Sequence, residues 1–196
     1  MANKKIIAHE LGHAICGYIL DNAFHPIELE LETDDPTARA YCHFSELEEK
    51  GNTSIKSLTK LENISDLGGL FGELILDGSW APWGSSYDMD DFIITNIKSK
   101  SALITELFDW MWNDGDELGY CQVIRREKTI KGKRDTTLDV YDTMDRLPNL
   151  WAVYMDFLWK IDRKEFNEVV DEISKGKKKN IKGAELKKYI LRIVGD

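Results

Sequence analysis

His9 and His13 stand four residues apart with Glu10 beside the first, in the run His9-Glu10-Leu11-Gly12-His13. Imidazole nitrogens bind divalent transition metals, and an i, i+4 pair projects from one helical face, so two such rings can grip a single ion. Glu10 lies about 100° around that helix from His9, near enough to hold a metal-bound water without being a ligand itself. Metal-assisted hydrolysis is the chemistry this arrangement serves, with one further protein ligand and an open position for water still required. The competing reading is a pair of satisfied core histidines beside a surface glutamate. It leaves a buried charged cluster without a compensating reason.

Several elements must position these groups. Residues 3 to 20 read as an apolar helix, with Ile6-Ile7-Ala8 before the motif and Ala14-Ile15-Cys16-Gly17-Tyr18-Ile19-Leu20 after it. Residues 26 to 32 alternate apolar and acidic side chains as a half-buried strand does, and Asp34-Asp35-Pro36 reads as a turn into a second, antiparallel strand over 38 to 44. Residues 45 to 60 are polar and read as a loop or mobile helix. A helical stripe then runs through Leu61, Ile64, Leu67, Leu70, Phe71, Leu74 and Ile75. Gly68, Gly69 and Gly72 lie inside it at a cost of around 1 kcal/mol each relative to alanine, so close approach to the histidine helix is expected.

Beyond this, residues 78 to 86 have the composition of an ordered loop, 88 to 112 that of a long helix, and 119 to 131 with 134 to 141 that of a hairpin across Lys131-Gly132-Lys133. Three further helices follow, marked by Leu150, Tyr154, Phe157 and Leu158, by Phe166, Val169, Val170 and Ile173, and by Leu186, Tyr189, Ile190 and Ile193. The expected fold is α+β and mostly helical, a HExxH helix beside a small β-sheet packed on further helices. Residues 1 to 115 form its core and 116 to 196 a helical extension packed on that core, within the same domain.

With 196 residues, 42% of them hydrophobic, and six Trp, seven Tyr and seven Phe, the chain can bury a substantial core. A net charge of −9 argues against general nucleic-acid binding, and the lysine-rich run over 175 to 188 reads as a solvated loop. Cys16, Cys42 and Cys121 are odd in number and form no CxxC pair, which fits a reducing compartment. No apolar run reaches the roughly 20 residues a bilayer requires, and no signal-peptide pattern precedes the first helix. A cytoplasmic protein that binds neither nucleic acid nor membrane is the expectation.

Taken together, the HELGH helix, the two short strands, Leu67-Gly68-Gly69-Leu70-Phe71-Gly72-Glu73-Leu74 and Gly84-Ser85-Ser86-Tyr87-Asp88 resemble the peptidase domain of the FtsH family over roughly residues 5 to 110. The resemblance implies a zinc peptidase fold in which the aspartate of the Gly/Ser-rich segment, Asp88 here, is the third ligand to Zn2+. A carboxylate in the first turn of the long helix would also suit the helix dipole, although Asp90 and Asp91 compete with it. Glu73 matches a glutamate of the family's Gly-Gly helix. It could orient His9 or His13 through the far ring nitrogen, could itself be the third ligand, or could point to solvent at the helix rim.

Leu70 and Tyr87 stand where the family usually has arginine and asparagine, and the chain has no GxxxxGK[ST] loop. The implied activity is therefore peptide hydrolysis without an ATP motor of the chain's own, with a separate ATPase or a homo-oligomer left open as partner. On this reading Glu10 is the general base and a peptide or protein the substrate, added as an extra strand along residues 38 to 44. His43 on that strand and His25 read as simply exposed. Two alternatives stand beside it: resemblance to the ImmA/IrrE regulatory metallopeptidases, which implies a glutamate on the next helix as third ligand, and an inactive metal-binding interaction protein with Trp80, Trp83, Trp110 and Trp112 as partner surface, although aromatic residues at helical spacing are more often core; Trp80 to Trp83 are also placed to cover the cleft.

Overall fold

The computed structural model describes residues 3–20, 24–32, 40–46, 61, 63–80, 82–99, 101–110, 138–139, 147–176 and 178–195. The elements in its first part are α1 (Lys4–Leu20), β1 (Phe24–Glu30), β2 (Tyr41–Glu46), a 3-10 turn (Ile64–Leu67) and α2 (Gly68–Asp77). They continue with β3 (Ser79–Trp80), α3 (Pro82–Asn96), α4 (Ala102–Phe108), β4 (Leu138–Asp139), α5 (Pro148–Leu158), α6 (Arg163–Gly176), β5 (Asn180–Lys182) and α7 (Ala184–Val194). A mostly helical α+β molecule results, as the apolar periodicities predict. The turn at 34 to 36, residues 47 to 60 and most of the expected hairpin lie outside the described residues.

Helix α1 is the hub. Ile7, Ala8, Leu11, Ala14, Ile15 and Cys16 are all buried, which is why its sequence is apolar around most of its circumference. One face packs on α2 through glycine. A Cβ at Gly12 would run into the Gly68 carbonyl, and a Cβ at Gly72 into the Ala8 carbonyl. As the numbering rises along α1 it falls along α2, so the two helices run in opposite senses with backbone against backbone.

Gly12, Gly68 and Gly72 are therefore the cause of the close crossing, which the sequence predicts from the glycines of α2. Gly72→Ala should destabilise the fold by about 2 kcal/mol or more, because the crossing must open to admit the methyl. Helix propensity alone would give a gain of about 1 kcal/mol. Denaturant unfolding decides between the opposite signs.

The other face of α1 meets a three-stranded antiparallel sheet in the order β2-β1-β5. Leu29, Cys42 and Ile181 sit in register across it, and Leu29 and Ile181 are fully buried. The register of β1 with β2 shifts between Pro26 and Glu28, where a proline with no N–H to give the ladder is accommodated by a bulge. Phe44, from β2, lies over Gly17 of α1.

The third strand has only one apolar residue and lies within the lysine run expected to be a solvated loop. Its basic residues instead complement the acidic face of β1 and its flank: Lys182 lies 3.6 Å from Glu28 and Lys179 2.8 Å from Glu32. Among the described residues, β2 remains an edge of this sheet.

Three expectations for the middle of the chain need correction. Residues 78 to 86 are not a loop throughout: β3 forms at 79–80, and α3 begins at Pro82, where a missing N–H costs nothing because first-turn donors have no partner in the helix anyway. The long helix expected over 88 to 112 is broken after Asn96. There the Asn96 side chain donates to the Phe92 carbonyl, the Ser99 N–H donates to the Asn96 carbonyl, and α4 restarts after Ser101. Leu138–Asp139, expected to pair within a hairpin, lies against Ser79–Trp80.

Glu106 on α4 then accepts from the backbone N–H groups of Asn149 and Leu150, at 2.9 and 2.8 Å, so a carboxylate from another helix caps α5 and complements its dipole. The named apolar positions of the last three helices are buried as predicted, except that Leu158 is only partly covered. Helices α5, α6 and α7 share one continuous core with α1 and α2.

Charged pairs on α6 tie this layer together. Lys4 reaches Asp171 at 2.5 Å, and Glu172 accepts from Arg192 at 2.8 Å and from the Tyr189 hydroxyl at 3.0 Å. The Lys4 contact lowers the Asp171 pKa from its ordinary 3.8, and Arg192 followed by Tyr189 lowers that of Glu172 from 4.5.

Because the folded-state values are depressed, the stability these acids contribute is present above their unfolded values and is lost as pH falls through the folded ones. Thermal melts should therefore decline in an acid limb starting below about pH 4.5. Glu172→Gln should flatten that limb while changing the midpoint at pH 7 far less than a core truncation would.

Candidate metal centre

The i, i+4 spacing on α1 does bring both imidazoles to one place. His9 and His13 pack edge to face with ring centroids 4.7 Å apart and their Nε2 atoms 3.1 Å apart. Each ring is held from behind by its other nitrogen. His13 Nδ1 donates to the Ser65 carbonyl oxygen at 2.8 Å, and His9 Nδ1 donates to Glu73 Oε1 at 3.0 Å.

A carbonyl can only accept, so the proton of a neutral His13 sits on Nδ1 and its lone pair on Nε2. The Glu73 carboxylate selects the same tautomer of His9. Both lone pairs consequently face each other.

The third member is Asp88. Its Oδ2 lies 3.2 Å from His9 Nε2 and 3.6 Å from His13 Nε2, buried and with no well-formed hydrogen bond to the protein among the described residues. Three acceptor atoms thus converge with no donor between them, an arrangement that is costly unless a cation or a proton lies among them.

The distances also suit a metal. Donors about 2.0 to 2.2 Å from a tetrahedral ion must stand roughly 3.3 to 3.6 Å from one another. Of the observed 3.1, 3.2 and 3.6 Å, the last falls in that range and the other two are shorter than it by about 0.1 to 0.2 Å, so a slight opening of the triangle admits the ion. His9, His13 and Asp88 could therefore hold a metal ion.

Without a metal, the site draws protons. Burial alone would lower the His9 pKa, but contacts with Asp88 and then Glu73, together with the charges of Asp88 and Glu10, raise it to about 10. His13 is raised too, because Asp88 outweighs its burial. Asp88 shows the reciprocal effect: burial raises its pKa, but His13 and His9 prevail and hold it well below the usual carboxylate range.

Glu10 is buried, its pKa pushed up by loss of solvent and held back by the charges of His13 and His9. Its carboxylate is thus electrostatically coupled to the triangle without being a member of it.

The position of Asp88 within its helix differs from expectation. Since α3 begins at Pro82, Asp88 lies in the second turn, beyond the range of the N-terminal dipole that favours first-turn acids. Packing of α3 beside the 3-10 turn and α2 carries it to the imidazoles instead. Asp91 is exposed, and the side chain of Asp90 lies outside the described residues.

Glu73 is buried and contacts Nδ1 of His9, on the side of the ring remote from the triangle, so it neither points to solvent nor approaches as a third donor. His43 is exposed as expected, its Nε2 3.1 Å from Glu30 Oε2. The His25 side chain lies outside the described residues. Trp110 is a core residue, the commoner place for an aromatic at helical spacing, and so is no part of a partner surface; the side chains of Trp80, Trp83 and Trp112 lie outside the described residues. Trp159, which the apolar periodicity did not single out, is 83% exposed.

Two features of the centre were not read from sequence. The Ser65 carbonyl is a backbone group, invisible to any residue pattern. Gly69 forms the floor: a Cβ there would lie 2.5 Å from His9 Nε2 and 2.6 Å from His13 Nε2. Gly69→Ala should therefore abolish metal binding, in contrast to Gly72→Ala, which acts on the helix crossing. Equilibrium dialysis of the folded variant against zinc checks this; retained wild-type affinity would contradict it.

Comparison of the chain with family models, curated proteins and solved structures finds no match. The class of site, two helical histidines and a distant aspartate with an adjacent glutamate, is accordingly defined by geometry alone. No helix among the described residues is long and apolar enough to cross a membrane.

Proposed function

We propose that this protein is a zinc-dependent metallopeptidase of the FtsH-peptidase type, acting on peptide bonds without an ATP motor of its own. The observation that carries the reading is the convergence of His9 Nε2, His13 Nε2 and Asp88 Oδ2 at 3.1 to 3.6 Å with their lone pairs facing inward. Two nitrogens and one carboxylate oxygen close to tetrahedral spacing suit zinc. When bound, the ion supplies Lewis acidity that polarises a scissile carbonyl and lowers the pKa of water toward neutrality.

The chain's own residues do the remaining work. Glu10, next to His9 on α1 and shielded from solvent, takes the proton of the attacking water and passes it to the leaving amine. Ser65 and Glu73 keep both imidazoles in the tautomer that offers Nε2. The outer edge of β2, unpaired among the described residues and with Phe44 packed on α1 at Gly17, suits an extended peptide added as a further antiparallel strand.

A glutamate of the next helix among the ligands would have favoured the ImmA/IrrE-like alternative, but Glu73 on α2 meets His9 at Nδ1 and the acid that converges on the two Nε2 atoms is Asp88. An interaction protein without turnover would need the ligands but not Glu10. Purification with zinc, followed by hydrolysis of an unstructured protein such as casein with and without a chelator, tests the proposal. Chelator-sensitive cleavage restored by zinc is expected, and cleavage indifferent to chelation would refute it.

A further inference from the structure

Lys5 stands one helical turn before His9 on α1, and Asp77 one turn after Glu73 on α2. Because the two helices run in opposite senses, these four residues meet across one seam. Lys5 Nζ lies 3.5 Å from Glu73 Oε2 and 3.7 Å from Asp77 Oδ2, while the other oxygen of Glu73 takes the hydrogen bond from His9.

The exposures are unequal in an informative way. The Glu73 side chain is only 4% exposed, that of Lys5 24%, and that of Asp77 45%. A carboxylate so buried is costly to keep there without an opposite charge, whereas Asp77 is well hydrated and needs none.

We propose that Lys5 is a positioning residue for the metal centre: its ammonium holds the outward oxygen of Glu73, so the inward oxygen stays on His9 Nδ1 and keeps His9 Nε2 aimed at the ion. This inference rests on the metal-site reading above. Without the ammonium, the Glu73 carboxylate gains by turning outward to water and leaves the His9 ring free to rotate. The chain of contacts is Lys5 to Glu73 to His9, and Lys5 touches neither metal nor substrate.

The test is a double-mutant cycle read as zinc affinity by competition with a chromophoric chelator, on the full chain. Glu73→Gln should weaken zinc binding by about tenfold, within the range for partners of metal ligands. Lys5→Met, or Lys5→Gln if the methionine variant folds poorly, should weaken it by about fivefold, and Lys5→Arg should restore it to within about twofold of wild type.

In the Glu73→Gln background the Lys5 substitution should have no further effect beyond about twofold, since there is no charge left to hold. Asp77→Asn should leave affinity unchanged. Unaltered affinity in both Lys5 variants, or a fivefold loss that persists in the Glu73→Gln background, would overturn the proposal. A wild-type chain that binds no zinc would instead remove the metal site itself and this inference with it.

Discussion

Glu10→Gln is expected to leave zinc affinity at the wild-type level and to lower peptide hydrolysis by about 10³-fold, within the range of roughly 10² to 10⁴ that a positioned general base contributes. The side chain is buried on α1 next to a ligand, and glutamine matches its shape while losing the basic carboxylate. Retained metal is essential to the result, because it separates loss of the base from collapse of the site. Equal activity in the variant would assign Glu10 a structural role, and activity absent from wild type and variant alike would favour the interaction protein.

Asp88→Ala is expected to have an equally large effect on a different quantity. Removing the third donor leaves two imidazoles, and zinc affinity should fall by at least about 10³-fold, well beyond the roughly 10- to 100-fold that an outer partner such as Glu73 controls. Asp91→Ala supplies the control: its side chain is exposed on the same helix, and affinity should stay within about twofold. Matched losses in the two variants, measured by chelator competition, would show that the Asp88 position has no special standing.

How far the site could be read in advance follows from which contacts are local. His9, Glu10 and His13 share one helix, so spacing alone places both rings on one face. Gly68, Gly69 and Gly72 were legible as a close crossing because helical glycines need a reason. The reason is steric and local to two helices.

Asp88 reached the rings for a cause other than the helix dipole. Its approach depends on how α3 packs beside α2, which no short-range pattern encodes. The start of α3 was signalled by Pro82 yet masked by the aromatic and glycine residues around it.

β5 was illegible for another reason. Asn180-Ile181-Lys182 offers one buried side chain, and its partners, Leu29 across the ladder and the carboxylate of Glu28 beside Lys182, are distant in sequence. The break after Asn96 was written in Asn96, Ser99 and Ser101, but the apolar residues on both sides continue a helical stripe across it. The late helices were predicted at nearly every apolar position, since each buries a single regular face on the shared core.

Diffraction from crystals grown with zinc, recorded on either side of the zinc absorption edge, tests the central claim most directly. One anomalous peak is predicted, about 2.0 to 2.2 Å from His9 Nε2, His13 Nε2 and a carboxylate oxygen of Asp88, with Glu73 still on His9 Nδ1. No peak at that triangle in zinc-saturated crystals, or a peak ligated by Glu73 in place of Asp88, would contradict the account.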